Sequence, residues 1–146
     1  MLLAIGTMSA RAQVGRFPMF APIAGATGRC QSSAAQAAVA GEAANRTMHL
    51  HLDGEPERDL MVATNARGGV ARFTTTISVK AGVSRREAEY VSAQFDPNGK
   101  LLHGERMYMT VGTPATVTED RRRALTTDEA DAALQLAKKL IQRCAR

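Results

Sequence analysis

Tryptophan is absent from this chain of 146 residues, and Phe and Tyr together make up only 4%. Its interior has to be assembled from Val, Leu, Ile, Met, Ala and four Phe, which implies a modest core and leaves almost no aromatic surface for stacking nucleic-acid bases. No stretch approaches the ~20 apolar residues of a membrane-spanning helix, so the mature protein is expected to be soluble. There are three His and two Cys, with no CxxC or zinc-type pair among them. No Ser sits in a Gly-x-Ser-x-Gly elbow, and Asn65-Ala66-Arg67-Gly68-Gly69 lacks the Lys and the strand-to-helix setting of a phosphate loop. It reads as a hairpin turn. Local signatures of catalysis are therefore missing, the reading leans away from an enzyme, and no cofactor is called for.

Acidic residues are also missing from the first 41 positions. Met1 to Met8 is a short apolar run, and Ala10-Arg11-Ala12 places small residues where a signal peptidase cuts, with Gln13 first in the mature chain. The basic segment that normally opens a signal peptide is lacking, as it would be if the natural start lay upstream of Met1. An organelle transit peptide and an untargeted tail are the competing accounts. Residues 1–12 are thus read as a signal segment, 13–31 as a linker or flexible arm, and 32–146 as one domain, with a periplasmic or secreted location.

The formal net charge is +5, but it is unevenly placed. Residues 1–46 hold four Arg against one Glu, and the other hundred residues carry a net charge of only +2. Nucleic-acid binding is accordingly disfavoured. The two cysteines, Cys30 and Cys144, flank the expected domain, and export would permit a bridge between them.

What is present reads as α+β. Apolar content of 45% with 23% charged residues is that of a chain folding around its own core. From Thr47 the period is two: Met48, Leu50 and Leu52 alternate with His49, His51 and Asp53, the pattern of a half-buried strand. Asp59 to Thr64 returns after a turn at Asp53 to Pro56. Val70 to Lys80 is the clearest strand, rich in β-branched residues. Glu87 to Gly112 reads as a hairpin about Asp96-Pro97-Asn98-Gly99. Pairing Asp96 with Lys100 sets Ala93 opposite His103, Val91 opposite Glu105 and Glu89 opposite Met107. One face of the second strand is then apolar through Met107, Met109 and Val111, and a bulge at Gly104 is invoked to turn His103 and Glu105 away from it. Ser32 to Asn45 is Ala-rich and suits a weak helix. Thr126-Thr127-Asp128-Glu129 has capping-box spacing, followed by a stripe of Ala130, Ala133, Leu134, Ala137, Leu140, Ile141 and Cys144. The expected architecture is an antiparallel meander of four or five strands packed by this C-terminal helix and by the weaker Ala-rich N-terminal one.

Two groups of residues invite chemistry. His49 and His51 share one face of a strand, and His103 with Glu105 would complete a metal-ligand set; two solvated histidines account for the pattern equally well. Arg121, Arg122 and Arg123, expected in the loop before the last helix, would bind anions together with Arg85 and Arg86, although Glu119 and Asp120 precede them. The leading functional expectation is a noncatalytic exported domain that binds a macromolecular partner: an envelope component, an enzyme to be inhibited or a toxin to be neutralised. A metal-binding protein using His49, His51 and His103, and an anion or nucleic-acid binder acting through the arginines, are the alternatives.

Overall fold

The computed structural model of the chain describes residues 14–34, 46–112 and 116–145. Its body is a single antiparallel sheet in which seven strands lie side by side in sequence order. They are β1 (Arg29–Ala34), β2 (Arg46–Leu52), β3 (Glu57–Thr64), β4 (Val70–Gly82), β5 (Arg85–Phe95), β6 (Leu101–Gly112) and β7 (Thr116–Ala124). Helix α1 (Thr127–Cys144) follows.

The strand count exceeds the four or five expected because both edges were unreadable in the sequence. β1 (RCQSSA) and β7 (TVTEDRRRA) lack apolar alternation; an edge strand needs a ladder partner on one side only and little buried surface. Ser32, Ser33 and Ala34, expected to begin the Ala-rich helix, instead belong to β1 and pair with Met48, Thr47 and Arg46. The remainder of that expectation, residues 35–45, lies outside the described residues.

One face of the sheet is covered. Met48, Leu50, Leu52, Leu60, Val62, Phe73, Ala93 and Phe95 close over Ala133, Leu136, Ala137 and Leu140 of the helix. The segment read as a linker or arm lies on the same face, and its Phe17 and Met19 pack with Ile77, Val91 and Tyr108. The helix begins as its sequence dictates: Thr126 Oγ1 accepts from the Glu129 amide, and the Glu129 carboxylate accepts from the Thr126 amide. Cys30 and Cys144 are disulfide-bonded, joining edge strand β1 to the last turn of α1.

The turn between β5 and β6 forms about Asp96, whose carboxylate accepts from the amides of Asn98 and Lys100, with Gly99 at a φ of 85°. The expected register fails just beyond it. Leu101 pairs with Phe95 and His103 with Gln94, so Leu102 is the bulged residue, rather than Gly104. Ala93, Val91 and Glu89 consequently face Gly104, Arg106 and Tyr108. A shift of one residue exchanges the two faces of a strand. Arg106, Tyr108 and Thr110 are therefore buried, while Met107 and Met109 lie half-buried on the opposite side. Gly104 has another role: a Cβ there would come within 2.7 Å of the Leu125 side chain, so the missing side chain makes room for Leu125 at the entry to the helix.

Candidate functional site

Opposite the helix, the sheet presents a face built by period-two alternation on adjacent strands. The register sets His49, Met61, Thr74 and Ser92 in one row across β2 to β5, and His51, Asp59, Thr76 and Tyr90 in the next. Arg72 and Gln94 stand opposite each other in a third. All of these residues except His51 line a groove of about 840 Å³. Among the described residues, the side chains of Arg72, Thr74, Thr76, Tyr90, Ser92 and Gln94 make no hydrogen bond or ion pair with their neighbours. Six polar side chains in one concavity are thus uncommitted.

One border of the groove is a carboxylate shared by two imidazoles. Asp59 Oδ1 lies 2.9 Å from His49 Nε2 and 2.8 Å from His51 Nδ1, and the other ring nitrogen of His51 lies 3.1 Å from Asp53 Oδ1. This follows from the register, in which His51 pairs with Asp59 and His49 is the next residue on that face. The hydrogen bond to Asp59, aided by the charges of Asp59, Asp53 and Glu57, raises the His51 pKa above its usual value against the opposing cost of burial. His103 does not join them. It lies on β6, where it pairs with Gln94 of β5, four strands away from β2, a separation on the order of 19 Å. Glu105 sits near Arg122, at 3.7 Å. Among the described residues, no group of three or more His, Cys, Asp or Glu is disposed to hold a metal ion.

The arginine run also lies elsewhere than expected. Arg121, Arg122 and Arg123 belong to β7, not to a loop, and pair with Tyr108, Met107 and Arg106. Strand alternation sends successive side chains to opposite faces, so the run is split instead of forming one anion cradle. Arg123 makes a two-pronged ion pair with Glu129, at 2.7 and 2.9 Å, and Arg122 reaches Glu105 and the Met107 sulfur. Arg85 and Arg86 likewise lie within β5, where Arg86 donates to Glu55 and Ser78. On the outer edge of β7 these charges discourage a further strand from adding.

Comparison with protein-family models, curated proteins and solved structures returned no match. The functional reading therefore rests on this geometry. Sequence reasoning had singled out His49 and His51 but missed Arg72, Thr74, Thr76, Tyr90, Ser92 and Gln94. The available signal was the polar half of the alternation in β4 and β5, residues that look like ordinary solvated positions until two strands are laid side by side.

It also missed a chain of buried charge on the covered face. Arg106 joins Glu89 at 3.1 Å and Glu129 at 2.7 Å, so that β5, β6 and α1 are tied through one guanidinium. The sign was visible at Glu89, which shares the apolar period of Val91, Ala93 and Phe95, whereas Arg106 stands on the polar parity of the expected register and only the true one brings them together.

Proposed function

We propose that this chain is an exported, noncatalytic binding domain that takes an extended macromolecular partner across the open face of its sheet. The observation that carries the reading is the groove with six uncommitted polar side chains. Its donors and acceptors recur about every 4.8 Å across the strands and roughly every 7 Å along them, a spacing suited to an extended polymer whose polar groups repeat. Thr74, Thr76, Ser92 and Gln94 offer neutral hydrogen bonds, the Tyr90 ring and the 43% exposed Met61 offer apolar contact, and Arg72 offers a charge for an acidic group. A hydroxyl- or amide-rich chain bearing acidic groups, as an envelope component does, fits this chemistry.

Two observations support the noncatalytic and exported parts of the reading. Ser92 and His49 share a row but are separated by β3 and β4, about 14 Å, too far for an imidazole to activate that hydroxyl. The Cys30–Cys144 bridge is the kind of link that persists in oxidising compartments.

The test is photo-crosslinking in the native host, with a benzophenone amino acid at Thr74 or Ser92 and a control at Gln135 on the exposed side of the helix. The expected result is a discrete adduct from the two sheet positions only, weakened when Arg72→Ala or Tyr90→Ala is added. Adducts that ignore those two substitutions, or that form equally from Gln135, refute the reading.

A further inference from the structure

Beneath the covered face, buried charged side chains grip the backbone of one segment. The Glu89 carboxylate, fully buried, accepts from the amides of Gly15 and Phe17. Arg106 donates to the Phe17 carbonyl at 2.7 Å. Arg58, 8% exposed, donates to the carbonyls of Met19 at 3.2 Å and Ala21 at 2.8 Å. From the helix, Arg143 donates to the carbonyls of Ile23 and Ala26 at 2.9 and 2.7 Å. The gripped segment has no ladder of its own with any strand, and its remaining backbone bonds are local: Met19 to Phe17, Ala21 to Pro18, and Ala26 to Ile23.

Side chains that hold backbone amides and carbonyls, together with sockets for two apolar residues two positions apart, recognise a peptide by its main chain as well as by its side chains; here the held main chain turns at Phe17–Met19 and at Pro18–Ala21. Phe17 and Met19 fill those sockets. An interior needs none of these charges, because apolar groups of similar size do the same packing without the cost of desolvating ions. Arg58 is the plainest case, having among the described residues no carboxylate partner and bonds only to the segment. The cradle also has unused capacity. The Arg58 Nε is buried without a partner, and a cavity of about 460 Å³ lies beside the segment between Ile23–Ala26 and Lys139–Arg143.

We infer that this cradle is a peptide-binding site occupied in cis by residues 15–21, and that it accepts in trans a segment of another polypeptide that takes the same turned path and carries bulky apolar side chains two residues apart. The resident segment can leave without detaching the rest of the chain, since the disulfide at Cys30 fixes the chain just downstream. The site lies on the opposite side of the sheet from the open groove, so either function can fail without the other. A tethered segment competes at an effective concentration on the order of millimolar, and apparent affinity for a free peptide falls in proportion to the fraction of sites left open.

The probe is a fluorescein-labelled peptide with the sequence of residues 14–24, added to the full-length oxidised protein and followed by anisotropy. Saturable binding to Phe17→Ala is expected, at least ~10-fold tighter than to the wild type, where the resident segment competes. A peptide N-methylated at the amides equivalent to Gly15 and Phe17 cannot donate to Glu89 and should not bind. Two results overturn the inference: a Phe17→Ala protein with native circular dichroism that leaves the peptide unbound at roughly millimolar concentration, or equal binding of the methylated peptide. Hydrogen exchange of the wild type decides independently, even if Phe17→Ala does not fold. The Gly15 and Phe17 amides should exchange through local opening, faster than that of Val91; protection equal to that of Val91 makes the segment a fixed part of the interior and ends the proposal.

Discussion

Replacing both half-cystines, Cys30→Ala with Cys144→Ala, tests how the two ends of this molecule are held. The bridge spans a sequence separation of 114 residues. Chain-entropy arguments give about 5 kcal/mol for a loop of that size, through restriction of the unfolded chain. Both residues pack against the main cluster, and loss of their sulfur contacts adds about 1 kcal/mol. A domain of this size is stable by about 5 to 15 kcal/mol in all, so the variant should fold at low temperature but stand close to its midpoint under mild conditions. Helix α1 keeps its seat through Ala133, Leu136, Ala137 and Leu140. Edge strand β1, paired only with β2, should be the first element to lose amide protection. Since the chain has no Trp, urea unfolding is best followed by far-ultraviolet circular dichroism. The free energy should drop by several kcal/mol and the urea dependence should steepen, because an unfolded chain without the bridge exposes more surface. A drop below about 1 kcal/mol with an unchanged slope refutes the loop-closure account.

Three further outcomes are expected. The Glu129 carboxyl is held at about 2, down from 4.5, chiefly by the Arg123 guanidinium, with help from the Thr126 amide and Arg106. Its stabilising effect is therefore complete above the ordinary carboxylate pKa and is lost as pH falls towards 2; Glu129→Gln should cost about 2 kcal/mol at neutral pH and flatten the acid limb of a stability profile. His51 behaves in the opposite sense, since its raised pKa gives stability that is present below 6.5 and lost as pH rises through the folded value. Its NMR titration midpoint should fall in Asp59→Asn, and an unmoved midpoint removes the shared carboxylate as the cause. Finally, a Cβ at Gly28 would lie 2.5 Å from the His51 carbonyl oxygen and 2.6 Å from the Leu52 side chain, so Gly28→Ala should destabilise by about 1 to 3 kcal/mol, measurable as a lowered melting temperature.

What was legible in the sequence followed from periodicity and local chemistry. Strands β2 to β5, the Asp96 turn and the Thr126–Glu129 cap each state themselves within a dozen residues, because alternation, an Asx-type turn and a reciprocal cap are short-range devices. In the helix, Leu136 was overlooked, although it is more deeply buried than the flanking Leu134 and Ile141; it stands three residues after Ala133 and four before Leu140, on the same stripe. The failures lay where the outcome depends on a neighbour. Nothing within β6 shows that the bulge falls at Leu102, yet that one residue decides whether Met107 or Tyr108 goes inside. Arg121, Arg122 and Arg123 resemble a loop because composition alone does not reveal that Tyr108, Met107 and Arg106 stand ready to pair with them. The groove on the open face was hidden for the same reason, being a property of four strands in register and of none alone.

A strictly sequential strand order also bears on the molecule's birth. Each strand finds its partner in the segment synthesised just before it, so hairpins can close in turn as the chain emerges. The helix that shields Leu50, Leu60, Val62 and Phe73 is made last of the described elements, and its final turn carries the Cys144 that Cys30 must meet. A growing chain therefore displays a nearly complete sheet with a bare apolar surface and an unpaired thiol until this helix has been made. During that interval it is a natural client for a holding chaperone, and oxidation before Cys144 emerges has only foreign thiols to join.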